Sequence, residues 1–190
     1  MFNFFRDWSD FKKGIVKWII IIILFLFSLS LEYKWRRAIH IITGFAWWGM
    51  VFFLVFILIP SLSKMKKDSQ YDIIGFVIPR IFRTASSVGF FTTGMGWYNA
   101  IFEIANMDIS YFFIRVENTL LLIGMLMVTG LYIFHLFLES KEIKLAFKIA
   151  NQDIDDFTKS EVENFLSKIR IIPTVGFLIL TTAVLLMFIH

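Results

Sequence analysis

Five apolar runs set the plan of this chain, at about residues 15–31, 38–62, 84–105, 117–139 and 170–190. A helix needs roughly 20 apolar residues to cross a hydrocarbon core of about 30 Å. Each run is therefore predicted as a membrane helix, and the chain as an all-α, polytopic helical bundle. The first run, "GIVKWIIIIILFLFSLSL", has the basic flank of a signal peptide, but no A-x-A-like site follows it. It is expected to remain as an added N-terminal transmembrane helix, occupying 15–36 with its loop, beside a four-helix domain at 37–190. The stretch before it, 1–14, mixes Phe, Trp, Lys and Arg as interfacial helices do.

Between the second and third runs, "YDIIGFVIPRIFR" is too short and too basic to span, and Pro79 precedes Arg80. An interfacial segment leading into the third helix is expected there. The 140–169 stretch is the sizeable soluble piece. "KEIKLAFKIANQ" has helical periodicity, and in "TKSEVENFLSKIR" Ser160 and Glu163 have the spacing of a capping box. Pro173 then falls in the first turn of the last span, where proline is tolerated.

Composition agrees with this pattern. The 190 residues are 58% hydrophobic with mean hydropathy +0.73, above the roughly 45–50% apolar content of soluble domains. Cysteine is absent, which excludes disulfides, thiolate metal sites and a c-type haem attachment motif. Charge gives an orientation. The N-terminal end up to Lys17, the 63–83 loop and the 140–170 loop hold 15 of the 19 Lys and Arg. Basic loops stay inside, so the expected arrangement in the cell membrane has a cytoplasmic N-terminus and an external C-terminus. The expected partner is the lipid bilayer, with other membrane subunits as a second kind; no nucleic-acid partner is expected.

The candidate chemistry lies in a few polar residues. "NQDIDDFTKSEVE" resembles a calcium loop only at first sight, because Asp156 stands where the loop needs Gly and Val162 where it needs Glu; a solvated acidic turn explains it. Gly89, Gly94 and Gly96 in the third helix, together with Ser86, Ser87, Thr92 and Thr93, and Gly124 and Gly130 in the fourth, read as close-packing positions. Asn99, Glu103 and Asn106 are spaced to share a helix face. Glu103 is either an interfacial carboxylate or one with a partner inside the bundle, since charge at membrane depth is expensive. Glu117, beside Arg115, opens the fourth helix where a carboxylate suits the helix dipole. Among three histidines, His40 and His190 belong to the external side and His135 to the internal side. About 16 residues of helix separate His40 from His135 in depth, roughly 24 Å, which opposes a haem b shared by the two. A soft metal is the alternative: without cysteine, methionine and histidine suit copper. The external candidates are His40, Met107, Met187 and His190, with Met50 and Met95 deeper. Methionine also fills apolar cores without any metal.

"AIHIITGFAWWGMVFFLVFILIPSL" resembles the opening helix of the copper resistance D family of membrane proteins, through His40, Trp47 or Trp48, Gly49 and Pro60. "PRIFRTASSVGFFTTGMG" resembles that family's basic lead into a helix ending in a Thr-Gly pair, here Thr93 and Gly94, and "KIRIIPTVGFLILTTAVLL" resembles its closing helix. The likeness covers about residues 37–190. It implies a four-helix core and a role in copper handling, such as uptake or delivery. Haem-binding protoporphyrinogen oxidases belong to the wider group, but the lysine they carry in a later helix has no counterpart here. Three readings follow. The first is copper handling at an external, shallow site near His40. The second is a non-catalytic accessory subunit of a larger respiratory or metal-dependent membrane complex, and the third a b-type haem protein. No complete catalytic set is visible, so an enzyme is not expected.

Overall fold

A computed structural model describes residues 4–62, 64–150, 156–169 and 171–188, and among them every regular element is helical. The helices are α1 (Phe4–Leu29), α2 (Tyr33–Leu62), α3 (Lys67–Ile104), the short α4 (Tyr111–Ile114), α5 (Val116–Ala150), α6 (Asp156–Ile169) and α7 (Ile172–Phe188). Four stretches are long and apolar enough to cross a membrane, Tyr33–Leu62, Lys67–Ile104, Val116–Glu139 and Val162–Met187. The chain is thus an all-α bundle of a membrane protein. The apolar part of α1 among the described residues, Ile15–Leu29, is shorter. At 1.5 Å per residue it covers about 22 Å, less than a full hydrocarbon core.

Helix α2 packs on α3, α3 on α5, α5 on α7 and α7 back on α2, which closes a ring of four; α1 lies outside the ring against α3. Several boundaries differ from the sequence expectations. The stretch 71–83 is no separate interfacial segment, because α3 runs unbroken from Lys67 through Pro79. Likewise α5 continues past 139 to Ala150 without a break, and residues 4–14 run on into the same helix, α1. Ser160 lies inside α6 rather than at its cap, since that helix starts at Asp156, where a carboxylate suits the first turn. Residues 151–155 of the calcium-like run are outside the described residues.

Proline explains two of the three irregular turns. Residues Leu54–Leu58 and Ile73–Val77 form π turns, each ending two residues before a proline, Pro60 or Pro79. A proline ring collides with the carbonyl four residues back and offers no N–H to it. Those carbonyls belong to Phe56 and Gly75, both inside the widened turns. The helix therefore absorbs each proline by loosening rather than breaking. The third π turn, Asn99–Ile104, has no proline after it.

The core is stacked in three layers along the ring. At the end carrying the basic loops, Leu58 and Leu62 of α2, Ile74 and Ile78 of α3, Ile149 of α5 and Phe165 of α6 pack together. This is why α6 closes that end. The middle layer holds Trp47, Ala85, Val128, Leu180 and Ala183; the far layer holds Ala100, Phe112, Leu121 and Met125. Helices in lipid gain little from burying apolar surface against each other, so close packing and interhelical hydrogen bonds hold them. Indole donors supply two such bonds, Trp48 Nε1 to Thr181 Oγ1 at 3.0 Å and Trp97 Nε1 to Thr129 Oγ1 at 2.8 Å.

Small residues on α3 let the neighbours close in. A Cβ at Gly89 would stand 2.9 Å from the Tyr132 ring and 3.3 Å from that of Trp47, and one at Gly94 would stand 2.8 Å from the Phe25 ring of α1. Trp47 is 1% exposed and meets Tyr132 edge to face at 6.0 Å, so the Trp47 ring has no room to withdraw. Gly89→Leu is expected to lower unfolding stability in detergent by about 1–3 kcal/mol through overpacking. Gly130→Ala, where nothing lies within 4 Å of the added carbon, should be neutral or stabilising by helix propensity. Thermal midpoints of the two variants check this.

Candidate functional site: a histidine and an ion pair on the small face of α3

One turn apart on α2, Arg36 and His40 face α3. The opposing face of α3 carries Thr92 and Gly96, then Asn99 and Glu103 in the π turn that no proline explains. Gly96 is a necessity of this arrangement, because a Cβ there would come 3.0 Å from His40 Cε1. The His40 Nδ1 lies 2.9 Å from the carbonyl oxygen of Thr92. A carbonyl only accepts, so Nδ1 carries the hydrogen and, in the neutral ring, Nε2 carries the lone pair. The backbone of α3 thus fixes both the tautomer and the orientation of the ring.

Arg36 is buried, at 7% exposure, and is held on four sides. Its guanidinium pairs with the Glu103 carboxylate, donates to the Leu29 oxygen at 3.2 Å and to the Leu31 oxygen, and lies 5.2 Å from the centre of the Tyr98 ring. Leu29 is the last residue of α1, so the cation also meets the negative end of that helix dipole. One side chain therefore ties α1, α2 and α3 together. Two buried atoms beside it, Arg36 Nε and Asn99 Oδ1, have no hydrogen-bond partner among the described residues. The third π turn begins at Asn99, which is buried, and carries Glu103, which pairs with Arg36. Such turns recur at functional sites.

The candidates from the sequence are dispersed. Glu103 finds its partner inside the bundle, and that partner is Arg36, which spacing alone did not suggest. Asn106 leaves the shared face: α3 ends at Ile104, and Asn106 and Met107 have positive φ of 47° and 63° in the following loop. Met107 is 68% exposed there. Met187 lies on α7 against Gly124 and packs into the layers around Trp47 and Phe112. Met95 is completely buried on α3, and Met50 packs against the middle layer. Glu117 is exposed in the first turn of α5. His190 is outside the described residues. Among the described residues no group of three or more His, Asp or Glu is placed to hold a metal ion. The described contacts of the His40 ring are with the α3 residues Thr92 and Gly96. Helix α2 starts at Tyr33 rather than near 38, seven residues before His40, about 10 Å along the axis.

A second polar cluster lies at the basic-loop end. His135 Nε2 stands 3.2 Å from the Phe82 oxygen and 3.1 Å from Ser86 Oγ, and the Ser86 hydroxyl donates to Glu139. The signal for it in the sequence is the i, i+4 spacing of His135 and Glu139 on one helix face; Ser86 reads there only as a small packing position. The two histidines bond carbonyls ten residues apart on α3, Thr92 and Phe82. That separates them by about 15 Å along the helix, not the 24 Å inferred from assumed span starts. The rings do not face one another across a single haem iron.

No family model, curated protein or solved structure matches the chain.

The Arg36–Glu103 pair yields an asymmetric expectation. Glu103 has 32% side-chain exposure against 9% for Arg36, so a lone Arg36 is the more enclosed charge. Glu103→Gln is expected to destabilise the protein by roughly 1–3 kcal/mol, and more than Arg36→Met does. The double variant should recover part of the loss. Equal losses in the two single variants, measured by thermal unfolding in detergent, would count against a buried pair.

Proposed function

We propose that this chain handles a soft metal ion, copper above all, at the His40 end of the bundle, and that it passes the ion on rather than storing it. The observation that carries this reading is the bond from His40 Nδ1 to the Thr92 carbonyl. Metal-ligating histidines typically donate their second nitrogen to a carbonyl or carboxylate, which fixes the tautomer and raises the basicity of the other nitrogen. His40 is prepared in this way, with Nε2 as the donor. Imidazole nitrogen suits copper, and the chain contains no thiolate that would favour zinc. Glu103 is engaged by Arg36 and adds no free carboxylate. A single imidazole holds an ion weakly, and a transfer site must let its ion leave. The resemblance of His40, Trp47 or Trp48, Gly49 and Pro60 to the copper resistance D opening helix supports the same reading.

The His40 end faces outward in this proposal, on the strength of the basic loops at the opposite end. A C-terminal reporter active only in the cytoplasm should then be silent, and an active one would reverse the orientation. The test of the site is metal content. Purified wild type loaded with copper(I) should retain copper that His40→Ala lacks, while His135→Ala, about 15 Å away along α3, retains it. The His40 substitution buries no charge and should leave insertion unchanged. Equal copper in wild type and His40→Ala would sink the proposal, and the accessory-subunit reading would then lead, with the mass of the native assembly as its measurement. A stoichiometric Soret band in the purified protein would instead favour the haem reading, with His40 as a single axial ligand.

A further inference from the structure

The basic-loop end of the bundle holds a chain of exchangeable groups that the copper reading does not use. Glu139 and His135 stand one turn apart on α5, and Ser86 of α3, completely buried, bridges them. The Ser86 hydroxyl donates to the Glu139 carboxylate, and its oxygen lies 3.1 Å from His135 Nε2. Phe82 stacks on the His135 ring at 5.2 Å with 13° between planes, while its carbonyl oxygen lies 3.2 Å from the same nitrogen. A protonated ring would therefore be bonded at Nε2 and covered by an aromatic face, which favours a cation. Other charged or titratable groups face the cluster from each packed helix. Lys17 of α1 is within electrostatic reach of Glu139 and donates to the Arg83 carbonyl at 3.0 Å; Arg83 follows on α3, and Tyr132 on α5 also senses Glu139.

Ionisable groups at membrane depth are costly, and they concentrate on ion paths and proton relays. A purely structural bridge would need only the serine and one acceptor. Here a half-buried carboxylate, a hydroxyl that both donates and accepts, and an imidazole are joined in series.

We propose that Glu139, Ser86 and His135 form a proton-binding relay. The Phe82 carbonyl only accepts and the Ser86 hydroxyl donates to Glu139, so His135 Nε2 carries hydrogen and a further proton is taken up at Nδ1. The Nε2 proton of the imidazolium then passes through the Ser86 hydroxyl to Glu139. In the transfer, the Nε2–H bond breaks as a new O–H bond forms on Ser86, and the original Ser86 O–H bond breaks as an O–H bond forms on the Glu139 carboxylate. The products are a neutral ring with hydrogen on Nδ1 and a neutral carboxylic acid, with no change in total charge.

The test is an NMR titration of ¹⁵N-histidine-labelled full-length protein in phosphatidylcholine vesicles, with the His135 signal assigned through its loss in His135→Gln. Glu139→Gln removes the charge that stabilises the imidazolium, and Ser86→Ala removes the bridge. Each is expected to lower the proton affinity of His135 by roughly tenfold or more, a full pH unit, and to leave the His40 signal unmoved. A His135 midpoint that stays put in either variant overturns the relay, as does a ring that takes up no proton in wild type. If Glu139→Gln fails to insert, Ser86→Ala decides alone, since alanine is the best helix former and removes a single oxygen. Copper content plays no part in this readout, so the relay and the copper site succeed or fail separately.

Discussion

The small face of α3 is the constraint on which the other helices arrange themselves. Apolar helices in lipid gain little by burying surface against one another, so van der Waals fit and interhelical polar bonds have to position them. Three glycines of α3 receive rings from three different helices: Gly94 takes Phe25 of α1, Gly89 takes Trp47 of α2 and Tyr132 of α5, and Gly96 takes His40 of α2. Larger side chains there would push the neighbours outward and separate their polar partners. Without Gly96, the His40 ring could not settle at hydrogen-bond distance from the Thr92 carbonyl.

The same helix carries two polar sites. Near Ile104, α3 presents Glu103 to the buried Arg36; midway along its length it presents Ser86 and the Phe82 carbonyl to His135. The apolar and aromatic middle layer around Trp47 packs beside the second site, with Ala85 next to Ser86. Charge is thus confined to regions where a second group can neutralise it, as the cost of an isolated charge in lipid requires. The Arg36 network is mechanical as well as electrostatic. By bonding the Leu29 and Leu31 carbonyls it fixes the end of α1 to the start of α2, while Phe25, Trp18 and Lys17 attach the body of α1 to α3.

The π turns separate covalent necessity from design around a site. Two of them accommodate Pro60 and Pro79. The third has no such cause, and it carries Asn99 and Glu103. A widened turn rotates the residues that follow it relative to a regular helix. This rotation, together with the end of α3 at Ile104, takes Asn106 off the face shared by Asn99 and Glu103.

The helical class, the apolar spans and the accommodation of Pro173 were legible in the sequence, because hydropathy over a bilayer's thickness and the missing proline N–H act locally. The single carboxylate singled out at membrane depth, Glu103, was also legible, since its cost does not depend on which helix neutralises it. Its partner was not: Arg36 lies 67 residues away, and only helix packing brings two such distant residues together. The helix ends at 67 and 150 escaped for a related reason. Packing of Ile74, Leu145, Ile149 and Phe165 in the end layer keeps these polar extensions helical where lipid would not. Ser86 was legible only as a small packing position; standing between Glu139 and His135 gives it a polar role, and that position comes from the register of α3 against α5, which no local pattern encodes.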